Sequence, residues 1–417
     1  MKQIIFIIIL SFLSTQIVIA QQRTCGKDLY MQKMLSNPAA KQRHDELQRK
    51  FQIALESINN SNGKTAAAPT ATIFIPVAIH FPAESSTSNQ KACLQTLAQR
   101  QIDVLNADYN AINADISKWS PSVSAFYPGT DIGKLNVQFV IATQNHPAGS
   151  GLVNGDKAIT FGTSFLTTDD EDLMWKGYMN IVCKSANGNL GYSPLGGFPI
   201  NGEAVVINFD AFGTGGGCTG FAPSNPYNLG RTLTHEIGHF FNLEHTFDGC
   251  TTDSNCATQG DFVCDTPASD VAVGGCPTAG QVVKCNVTTL TMNYMDYTND
   301  ACMYMFTAGQ ANRMQAYYNS IAAQFSNNVL ANNSFTANAF SVFPNPNNGS
   351  FAIQMKENIE NFEVNIYDIL GRNIYTKTFN TNQNLQTPIN LNGQSAGVYL
   401  VSIKNDHSIF TKKIVIQ

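Results

Sequence analysis

Three histidines and a glutamate within eleven residues form the stretch with the clearest chemical capacity. His235 and His239 are four residues apart, so a helix would place both imidazoles on one face, one turn apart. Glu236 lies beside the first histidine, where its carboxylate can reach a metal-bound water. If the helix ends after His239, His245 can turn back toward the same point. Three neutral imidazoles leave the fourth position of a tetrahedral Zn²⁺ open for water, as a catalytic zinc site requires.

The pattern predicts a hydrolytic zinc site. Zinc lowers the pKa of a bound water from about 15.7 to roughly 7. Glu236 is the predicted general base, which takes the proton as the water attacks a peptide carbonyl. Asn242 stands where the chain should bend, because Asn tolerates the left-handed backbone conformation better than most non-glycine residues. An H-E-x-x-H pair can also arise by chance among surface histidines, but the third histidine argues against that interpretation.

A second element lies downstream, in the sequence N-Y-M-D-Y at 293–297. A methionine in a tight turn below a three-histidine zinc site is the metzincin arrangement, which gives Met295 its predicted place. Taken alone, such a methionine is more often part of a hydrophobic core.

These motifs resemble the metzincin metallopeptidases, and more closely the pappalysin family, over roughly residues 70–325. Asn242 departs from the family pattern, in which glycine usually occupies this position. Asn can adopt the same backbone conformation, so the site is expected to tolerate the change. The segments that carry the resemblance are Leu190–Tyr192, His235–Phe247, Asp261–Val263, Asp265–Pro267, Asn293–Tyr297 and Asp300–Gln310.

The resemblance implies an α/β metzincin-like catalytic domain, in which a long helix backs a twisted mixed sheet and the zinc-binding helix lies below the cleft. Tyr297 would approach the zinc and stabilise the reaction intermediate. Peptidases of this family often cut before Arg or Lys, and Asp300 is the candidate acid at the floor of that pocket. By the same analogy, a strand over residues 203–212 should lie near the sheet edge, where an extended peptide can bind.

The first 20 residues predict secretion. Lys2 is followed by an apolar run and then by small residues, which is typical of a signal peptide cleaved after Ala20. A retained membrane anchor is the alternative, but polar residues interrupt the run, and no other stretch is long and apolar enough to span a bilayer. Ten cysteines among 417 residues fit an oxidising compartment, and a net charge of −5 gives no sign of nucleic-acid binding.

Six of the ten cysteines lie between residues 248 and 302, in a region with few regular apolar patterns. We predict three disulfides there. A second zinc cluster is the rival interpretation, but the spacing lacks paired C-x-x-C motifs. Spacing alone leaves the pairing open, and the family resemblance implies Cys256–Cys285 and Cys276–Cys302.

The same region is rich in aspartates. Asp248, Asp253, Asp261 and Asp265 carry the hard oxygen atoms that Ca²⁺ prefers, and the family resemblance implies calcium binding here. Their spacing is not that of an EF-hand, so solvated loop acids are an equally good interpretation. Zinc is thus the predicted catalytic metal, and calcium is a candidate structural one.

Residues 21–68 predict a prosegment, with helical periodicity over 41–58 followed by a turn-rich linker. Cys25, in the sequence R-T-C-G, is the candidate latency switch, because a thiolate in the fourth zinc position would displace the water. A disulfide is the alternative. Cys183 could pair with Cys218, which leaves Cys25 and Cys93 either bonded to each other or both free.

Residues 331–340 predict a linker, and residues 341–417 a small all-β immunoglobulin-like sandwich in which short strands alternate with turns. The segments P-N-P at 344–346, D-I-L-G-R at 368–372 and A-G-V-Y-L at 396–400 resemble the C-terminal sorting domain of Bacteroidetes type IX secretion. An adhesive β module is the alternative, because β sandwiches share such patterns.

The predicted protein is a secreted zinc metalloendopeptidase with its metallopeptidase domain over residues 69–330. We expect a latent precursor that passes through the periplasm to the outer cell surface or the medium. Its expected partners are protein or peptide substrates and the type IX secretion machinery. The rival hypothesis is a surface-binding adhesin with a metzincin-like fold; Glu236 argues against it, because an inactive protein need not keep the base.

Overall fold

A computed structural model describes the chain on both sides of the predicted linker. The described residues are 23–61, 72–82, 87–162, 165, 170–252, 254–326, 329, 340–355, 361–368, 372–380, 386–404 and 409–417. The predicted signal peptide lies outside them, as does most of the turn-rich segment that ends the predicted prosegment. Within these stretches, no helix is long and apolar enough to cross a membrane.

The described residues form two compact units. The first lies within residues 1–141 and 158–326, and the second within 142–157 and 327–417. Residues 142–157 are in the second unit, where the backbone N–H groups of Thr143 and Gln144 both donate to the carbonyl of Val329, at 3.0 and 2.9 Å. No sequence pattern indicates that residues 142–157 belong to the second unit, because their placement depends on backbone hydrogen bonds and not on residue type.

The first unit is built on a mixed sheet, which confirms the expected fold class. Its strands are β1 (Ile73–Phe81), β2 (Val137–Ile141), β3 (Ile159–Phe161), β4 (Met179–Cys183), β5 (Gly191–Tyr192) and β6 (Ala204–Ile207). The order is β2–β1–β4–β6–β5, with β3 also beside β1, and every pairing is parallel except that of β5 with β6. β1 is central and almost wholly buried, which explains its near-continuous apolar sequence.

The strand predicted over residues 203–212 lies near the sheet edge, as expected, but it is shorter than predicted and is not the edge strand itself. The strand ends at Ile207, and β5 pairs antiparallel on its outer side. β5 has only two residues, so no apolar alternation indicates it in the sequence. The outer strand on this side is therefore β5, and its Gly191 forms a parallel bridge with Cys25.

The helices of this unit pack on one another and on the sheet. They are α1 (Lys27–Leu35), α2 (Pro38–Ser61), α3 (Ser88–Tyr109), α4 (Pro121–Ser124), α5 (Arg231–Phe240) and α6 (Ala308–Ile321). α3 lies against β2 and α5. Its buried face includes Leu94, Leu97, Ile102, Leu105 and Tyr109. The next residue, Asn110, donates from its side chain to the carbonyl of Val137 and accepts from the N–H of Val137 (2.6 and 3.0 Å), which fastens the helix end to β2.

α5 carries the first two histidines and is buried along its whole length. It begins at Arg231, after Gly230 in the left-handed conformation. Leu229 precedes the helix and is 37% exposed. Beyond the other end, Asn242 has φ 68°, which confirms the predicted left-handed bend.

The predicted prosegment is more helical than its periodicity indicated. α2 begins at Pro38 and includes the predicted 41–58, while α1 was not predicted. α2 packs along α6, where the ring centroids of Phe51 and Tyr317 are 5.8 Å apart and both rings are fully buried. α1 buries only Lys27 and Met31, so it lacks the apolar stripe by which a helix is recognised in a sequence.

Four disulfides join described cysteines: Cys93–Cys218, Cys250–Cys285, Cys256–Cys264 and Cys276–Cys302. Three of them lie in the 248–302 region, as predicted, and the implied pair Cys276–Cys302 is confirmed. The implied pair Cys256–Cys285 is wrong. Cys285 and Asn286 both have positive φ and form the two-residue turn between β7 (Val283–Lys284) and β8 (Val287–Thr288), which places Cys285 beside Cys250.

One expected pairing among the other four cysteines is also wrong. The suggested pair Cys183–Cys218 is wrong, because Cys183 is buried within β4 and free, and Cys218 bonds to Cys93 on α3. Cys25 is free as well. Its alternative interpretation as a disulfide cysteine is therefore excluded in this structure.

The second unit contains two antiparallel sheets with a common core, which confirms the expected small all-β sandwich. Its strands are β9 (Phe340–Phe343), β10 (Ser350–Met355), β11 (Asn361–Asp368), β12 (Asn373–Asn380), β13 (Gln386–Asn390), β14 (Gly397–Lys404) and β15 (Ile409–Ile416). One sheet has the order β13–β10–β9 and the other β12–β11–β14–β15. Phe351 and Ile353 of the first sheet pack with Val364 and Val401 of the second. β12 and β13 were not predicted.

Candidate active site

Three imidazole nitrogens converge near the end of α5. Nε2 of His239 lies 3.2 Å from Nε2 of His235 and 3.1 Å from Nε2 of His245. All three side chains are buried. The helical spacing brings the first two together, as predicted, and the left-handed residue Asn242 turns the chain so that His245 reaches the same point.

Backbone carbonyls orient two of the three rings. Nδ1 of His235 donates to the carbonyl of Tyr294 at 2.7 Å, and Nδ1 of His239 donates to the carbonyl of Leu243 at 2.6 Å. With the proton on Nδ1, each ring presents a lone pair at Nε2. Burial lowers the pKa of His235 to about 3 and holds the pKa values of His239 and His245 well below their ordinary value, so the imidazoles are neutral.

This donor set fits a zinc ion. Nitrogen lone pairs that face one another at 3.1–3.2 Å repel unless a cation lies between them. The three nitrogens and Sγ of Cys25 all lie within 4.8 Å of one another. A tetrahedral Zn²⁺ with bonds of about 2.0–2.3 Å to imidazole and thiolate spans such a group.

Glu236 is buried beside the histidines but is not one of the converging ligands. Its Oε2 accepts a hydrogen bond from Sγ of Cys25 at 3.3 Å. Burial raises the pKa of Glu236 to about 8. Gly191 makes room for this carboxylate, because a Cβ there would lie 2.9 Å from Cγ of Glu236 and 2.9 Å from the carbonyl of Val206.

Met295 lies directly beneath α5. A Cβ on Gly238 would be 2.5 Å from the sulfur of Met295, so glycine at this helix position allows the close approach. The turn is held by Asn293, whose side-chain oxygen accepts from the N–H of Met295 (2.9 Å) and whose amide exchanges hydrogen bonds with Gln310 (2.7 and 3.1 Å). Gln310 belongs to the capping box of α6, which ties the turn below the histidines to that helix.

The hydroxyl of Tyr297 lies at the border of the histidine cluster. It is 3.4 Å from Nε2 of His245 and accepts from the backbone N–H of Cys25 at 3.3 Å. Its ring packs against those of His245 and Phe247. Burial raises the pKa of Tyr297, so the phenol keeps its proton and can donate it to an oxygen atom placed at this border.

The thiol of Cys25 faces the three histidines. The chain around it binds the outer edge of β5. The N–H of Gly26 donates to the carbonyl of Gly191, and the N–H of Leu190 donates to the carbonyl of Thr24, both at 3.0 Å. An extended stretch of the predicted prosegment therefore covers the strand edge and holds its thiol at the site.

Arg23 of the same stretch enters a pocket that ends at Asp300. Its side chain is 1% exposed, and its guanidinium forms a salt bridge with Oδ1 of Asp300. It also donates to Oγ1 of Thr232 (3.1 Å) and to the carbonyl of Thr298 (3.3 Å). The ring of Tyr227 lies 4.9 Å from the guanidinium carbon. The pocket is thus lined to hold a planar cation.

The other carboxylate oxygen of Asp300 contacts the start of α5. Oδ2 accepts from the N–H of Leu229 (2.8 Å) and from the N–H of Arg231 (3.2 Å). One side chain thus links the cation pocket to the helix that carries His235 and Glu236.

Three residues of the site were not predicted from the sequence. Arg23 had an available signal, because it is a basic residue two positions before the proposed switch in a chain expected to bind basic side chains. Gly191 and Gly238 had none, because their importance comes from what a Cβ would strike.

The four aspartates considered for calcium do not form one ligand group within the described part of the chain. Asp253 lies outside that part. The carboxylate of Asp261 accepts from the hydroxyl of Thr266 (2.6 Å), and that of Asp265 accepts from the hydroxyl of Thr307 (2.6 Å). Burial raises the pKa of Asp261 to about 7.

A mixed sheet with a buried helix that carries converging histidines defines a metzincin-type metallopeptidase. The model of the pregnancy-associated plasma protein-A family matches residues 176–319. An extracellular metalloprotease of Verticillium alfalfae is 31% identical over 275 residues, which cover 64% of this chain and 84% of that protein. Another, from Sordaria macrospora, is 46% identical over 101 residues, which cover 24% of this chain and 34% of that protein. The chain belongs to this family of metallopeptidases, the pappalysins.

A solved structure shows the same relationship. A mutant of Tannerella forsythia promirolysin is 29% identical, with a TM-score of 0.52, and the match covers 72% of this chain and 94% of that one. The resemblance noted in the sequence motifs is thereby confirmed at the level of the fold.

The C-terminal residues match a different family. The model of the secretion system C-terminal sorting domain covers residues 341–417. These residues are therefore a type IX sorting domain, as predicted, and the protein is exported to the cell surface or beyond it.

Proposed function

We propose that the mature protein is a zinc endopeptidase that cuts proteins or peptides outside the cell. The observation that carries the proposal is the convergence of three buried Nε2 atoms beside a buried carboxylate. His235, His239 and His245 would hold the metal, and their neutral rings leave one position for water or substrate. A zinc ion bound there supplies a Lewis acid and a water of lowered pKa.

The neighbouring side chains would do the remaining chemistry. Glu236 takes the proton from the attacking water and later delivers it to the leaving amine. The protonated hydroxyl of Tyr297 donates to the carbonyl oxygen as negative charge develops there. Met295 supports the metal site from below. Glu236 also argues against the adhesin hypothesis, because a buried carboxylate is costly to keep for a protein that only binds.

The pocket at Asp300 supports a preference for Arg or Lys after the scissile bond. The guanidinium of Arg23 already occupies it, with a salt bridge and two further hydrogen bonds. We take this side chain as a stand-in for that of a substrate. A basic substrate residue in the pocket would meet the same partners and fix the register of the peptide along the cleft.

Calcium is proposed as a structural ion in the disulfide-rich region. Asp261 has a buried carboxylate whose close partners are neutral groups, the hydroxyl of Thr266 and the N–H of Val263. A hard cation beside it would offset the burial of its charge.

Metal removal tests the proposed function. A chelator selective for transition metals should abolish cleavage of an Arg-containing peptide by the mature protein, and one equivalent of Zn²⁺ should restore it, because the three-histidine site then regains its Lewis acid. Calcium alone should not restore cleavage, but it should raise the unfolding temperature if it binds near Asp261. Full turnover by protein that elemental analysis shows to be free of transition metal would contradict the proposal.

We further propose that residues 21–68 keep the precursor latent and are released by cleavage in the linker after α2. Cys25 would supply a thiolate to the fourth zinc position, while Arg23 fills the substrate pocket. Both contacts must be lost before a substrate can enter. Zinc deprotonates a coordinating thiol, so the switch does not require an otherwise acidic cysteine.

The Cys25→Ala precursor is expected to cleave peptides without prior processing, or to mature faster than the wild type. Its prosegment keeps the Arg23 contacts but no longer holds the metal. The measurement is peptide turnover by the intact precursor, with its length checked by mass spectrometry.

Cys183→Ala is the matched control, because Cys183 is the other free cysteine among those described and lies buried in β4. That variant should stay latent. If the Cys25→Ala precursor is as inactive as the wild type, the thiol is not the switch, and latency must come from steric cover by the prosegment.

A further inference from the structure

We propose that Glu244 and Asp248 form a second acidic subsite, which binds a Lys or Arg side chain on the amino-terminal side of the scissile bond. The inference rests on the proposed peptidase function. It is carried by the prosegment side chain that fills this place in the structure, the ammonium of Lys27.

Lys27 is held as a ligand would be held. Its Nζ forms a salt bridge with Oε2 of Glu244 and lies 4.0 Å from Oδ2 of Asp248. The side chain of Lys27 is only 5% exposed, and that of Glu244 is 15% exposed. Its third acidic neighbour, Asp28 at 3.1 Å, belongs to the prosegment itself and is 80% exposed. A buried ammonium is destabilising unless carboxylates compensate it, so the two acids outside the prosegment make this place favourable for a cation.

The spacing of the prosegment residues places this subsite relative to the metal centre. The thiol of Cys25 faces the histidines, the chain is extended up to Cys25, and α1 begins two residues later at Lys27. Arg23 and Lys27 stand two residues before and two residues after it, and their side chains reach different acids. Asp300 binds the side chain of Arg23, and Glu244 and Asp248 together bind the side chain of Lys27. If Asp300 accepts the residue after the scissile bond, the other acids face the residues before it.

Release of the prosegment would leave the two carboxylates without Lys27. Arg313 is a further cation whose charge acts on Glu244, but its Nε donates to the carbonyl of Asn242 at 2.8 Å, and within the described residues it forms no salt bridge with Glu244. Glu244 and Asp248 both lie within reach of one ammonium, so in its absence they repel each other. A basic substrate side chain relieves this repulsion and takes the place of Lys27.

The cleft would then recognise a basic residue on each side of the cut. The substrate class that fits is an extended peptide with Arg or Lys after the scissile bond and another basic residue up to three positions before it. The span supports this range, because the four steps from Arg23 to Lys27 end at the first residue of α1 and so cover less than the roughly 13 Å of four extended residues. The two acidic subsites together would therefore favour substrates with clustered basic residues. The pocket at Asp300 alone would require only one basic residue.

The test is cleavage of a peptide series by the mature, zinc-loaded protein. All peptides carry Arg after the scissile bond, and each pair differs by Lys or norleucine at one of the three preceding positions. At one position, kcat/KM should be about tenfold or more higher for Lys, since a charge-assisted hydrogen bond in a partly buried site is worth at least this factor. In Glu244→Gln the ratio should fall to near one. Asp103→Asn, which removes an exposed acid of α3, should keep the wild-type ratio.

The outcomes separate the two proposals. Cleavage at equal rates for Lys and norleucine at all three positions would overturn the subsite and leave the peptidase function standing. No cleavage of any peptide would overturn the proposed function. If no peptide is cleaved, or if Glu244→Gln fails to fold, a second measurement tests the subsite. It is the binding of a fluorescent peptide of residues 23–36 to the mature wild-type protein. Replacing Lys27 by norleucine in this peptide should weaken its binding about tenfold, and equal affinities would overturn the subsite.

Discussion

Replacing Glu236 by Ala should slow peptide hydrolysis by the mature protein by about 10²–10⁴-fold, the range typical of a general base. The three histidines remain, so the metal should stay bound. The large effect is expected because Oε2 of Glu236 lies 3.3 Å from the thiol of Cys25, which faces the three histidines at the position proposed for the water. The measurement is kcat/KM for an Arg-containing peptide, together with the zinc content of the same sample.

Tyr297→Phe provides the graded comparison. It removes one hydroxyl at the border of the cluster but no base, so its loss of activity should be smaller than that of Glu236→Ala. Near-normal turnover by Glu236→Ala with zinc present would refute the proposed role of the carboxylate. Loss of zinc from that variant would show that Glu236 supports the metal site, contrary to the geometry.

The second large effect concerns Asp300. In Asp300→Asn, the advantage of an Arg peptide over a citrulline peptide should fall on the order of 10²-fold in kcat/KM, because a buried guanidinium loses its paired charge. Citrulline has nearly the shape of Arg without its charge, so the ratio reports the charge interaction alone. Asn is preferred to Ala because its side-chain oxygen can still accept from the N–H groups of Leu229 and Arg231 at the start of α5.

A fall in cleavage of both peptides alike would mean that Asp300 acts only through α5. An unchanged ratio would remove Asp300 from the specificity pocket. The precursor offers an independent measure, because Arg23→Ala should loosen the prosegment in wild type but add little in Asp300→Asn. A double-mutant cycle between these positions isolates their pair interaction.

Asn242 shows how a departure from the family pattern is used in this chain. Its backbone has the left-handed conformation that glycine would supply. Its side chain exchanges two hydrogen bonds of 3.0 Å with the amide of Gln48 on α2. A glycine at 242 would keep the bend but lose this contact with the prosegment. The residue therefore serves both the turn that brings His245 to the other histidines and the packing of α2.

The disulfide-rich region shows where prediction from sequence failed. Cys256 was assigned to a partner 29 residues away, at position 285, but bonds to Cys264 within the same loop. Cys285 is instead directed to Cys250 by a two-residue turn with positive φ at both positions. Such a turn depends on the pairing of β7 with β8, which are too short to be recognised by alternation.

The sequence by itself determined the types and spacing of the chemical groups. The period of a helix places His235 and His239 on one face, and a left-handed residue before His245 turns the chain back, so the convergence of three imidazoles near a carboxylate follows from local geometry. Only the tertiary structure decided that Cys25 faces these histidines, that Arg23 reaches Asp300, and that β5 forms the outer strand. These contacts join residues far apart in the chain. Their partners are selected by packing and by the pairing of buried charges, which leave no periodic trace in a sequence.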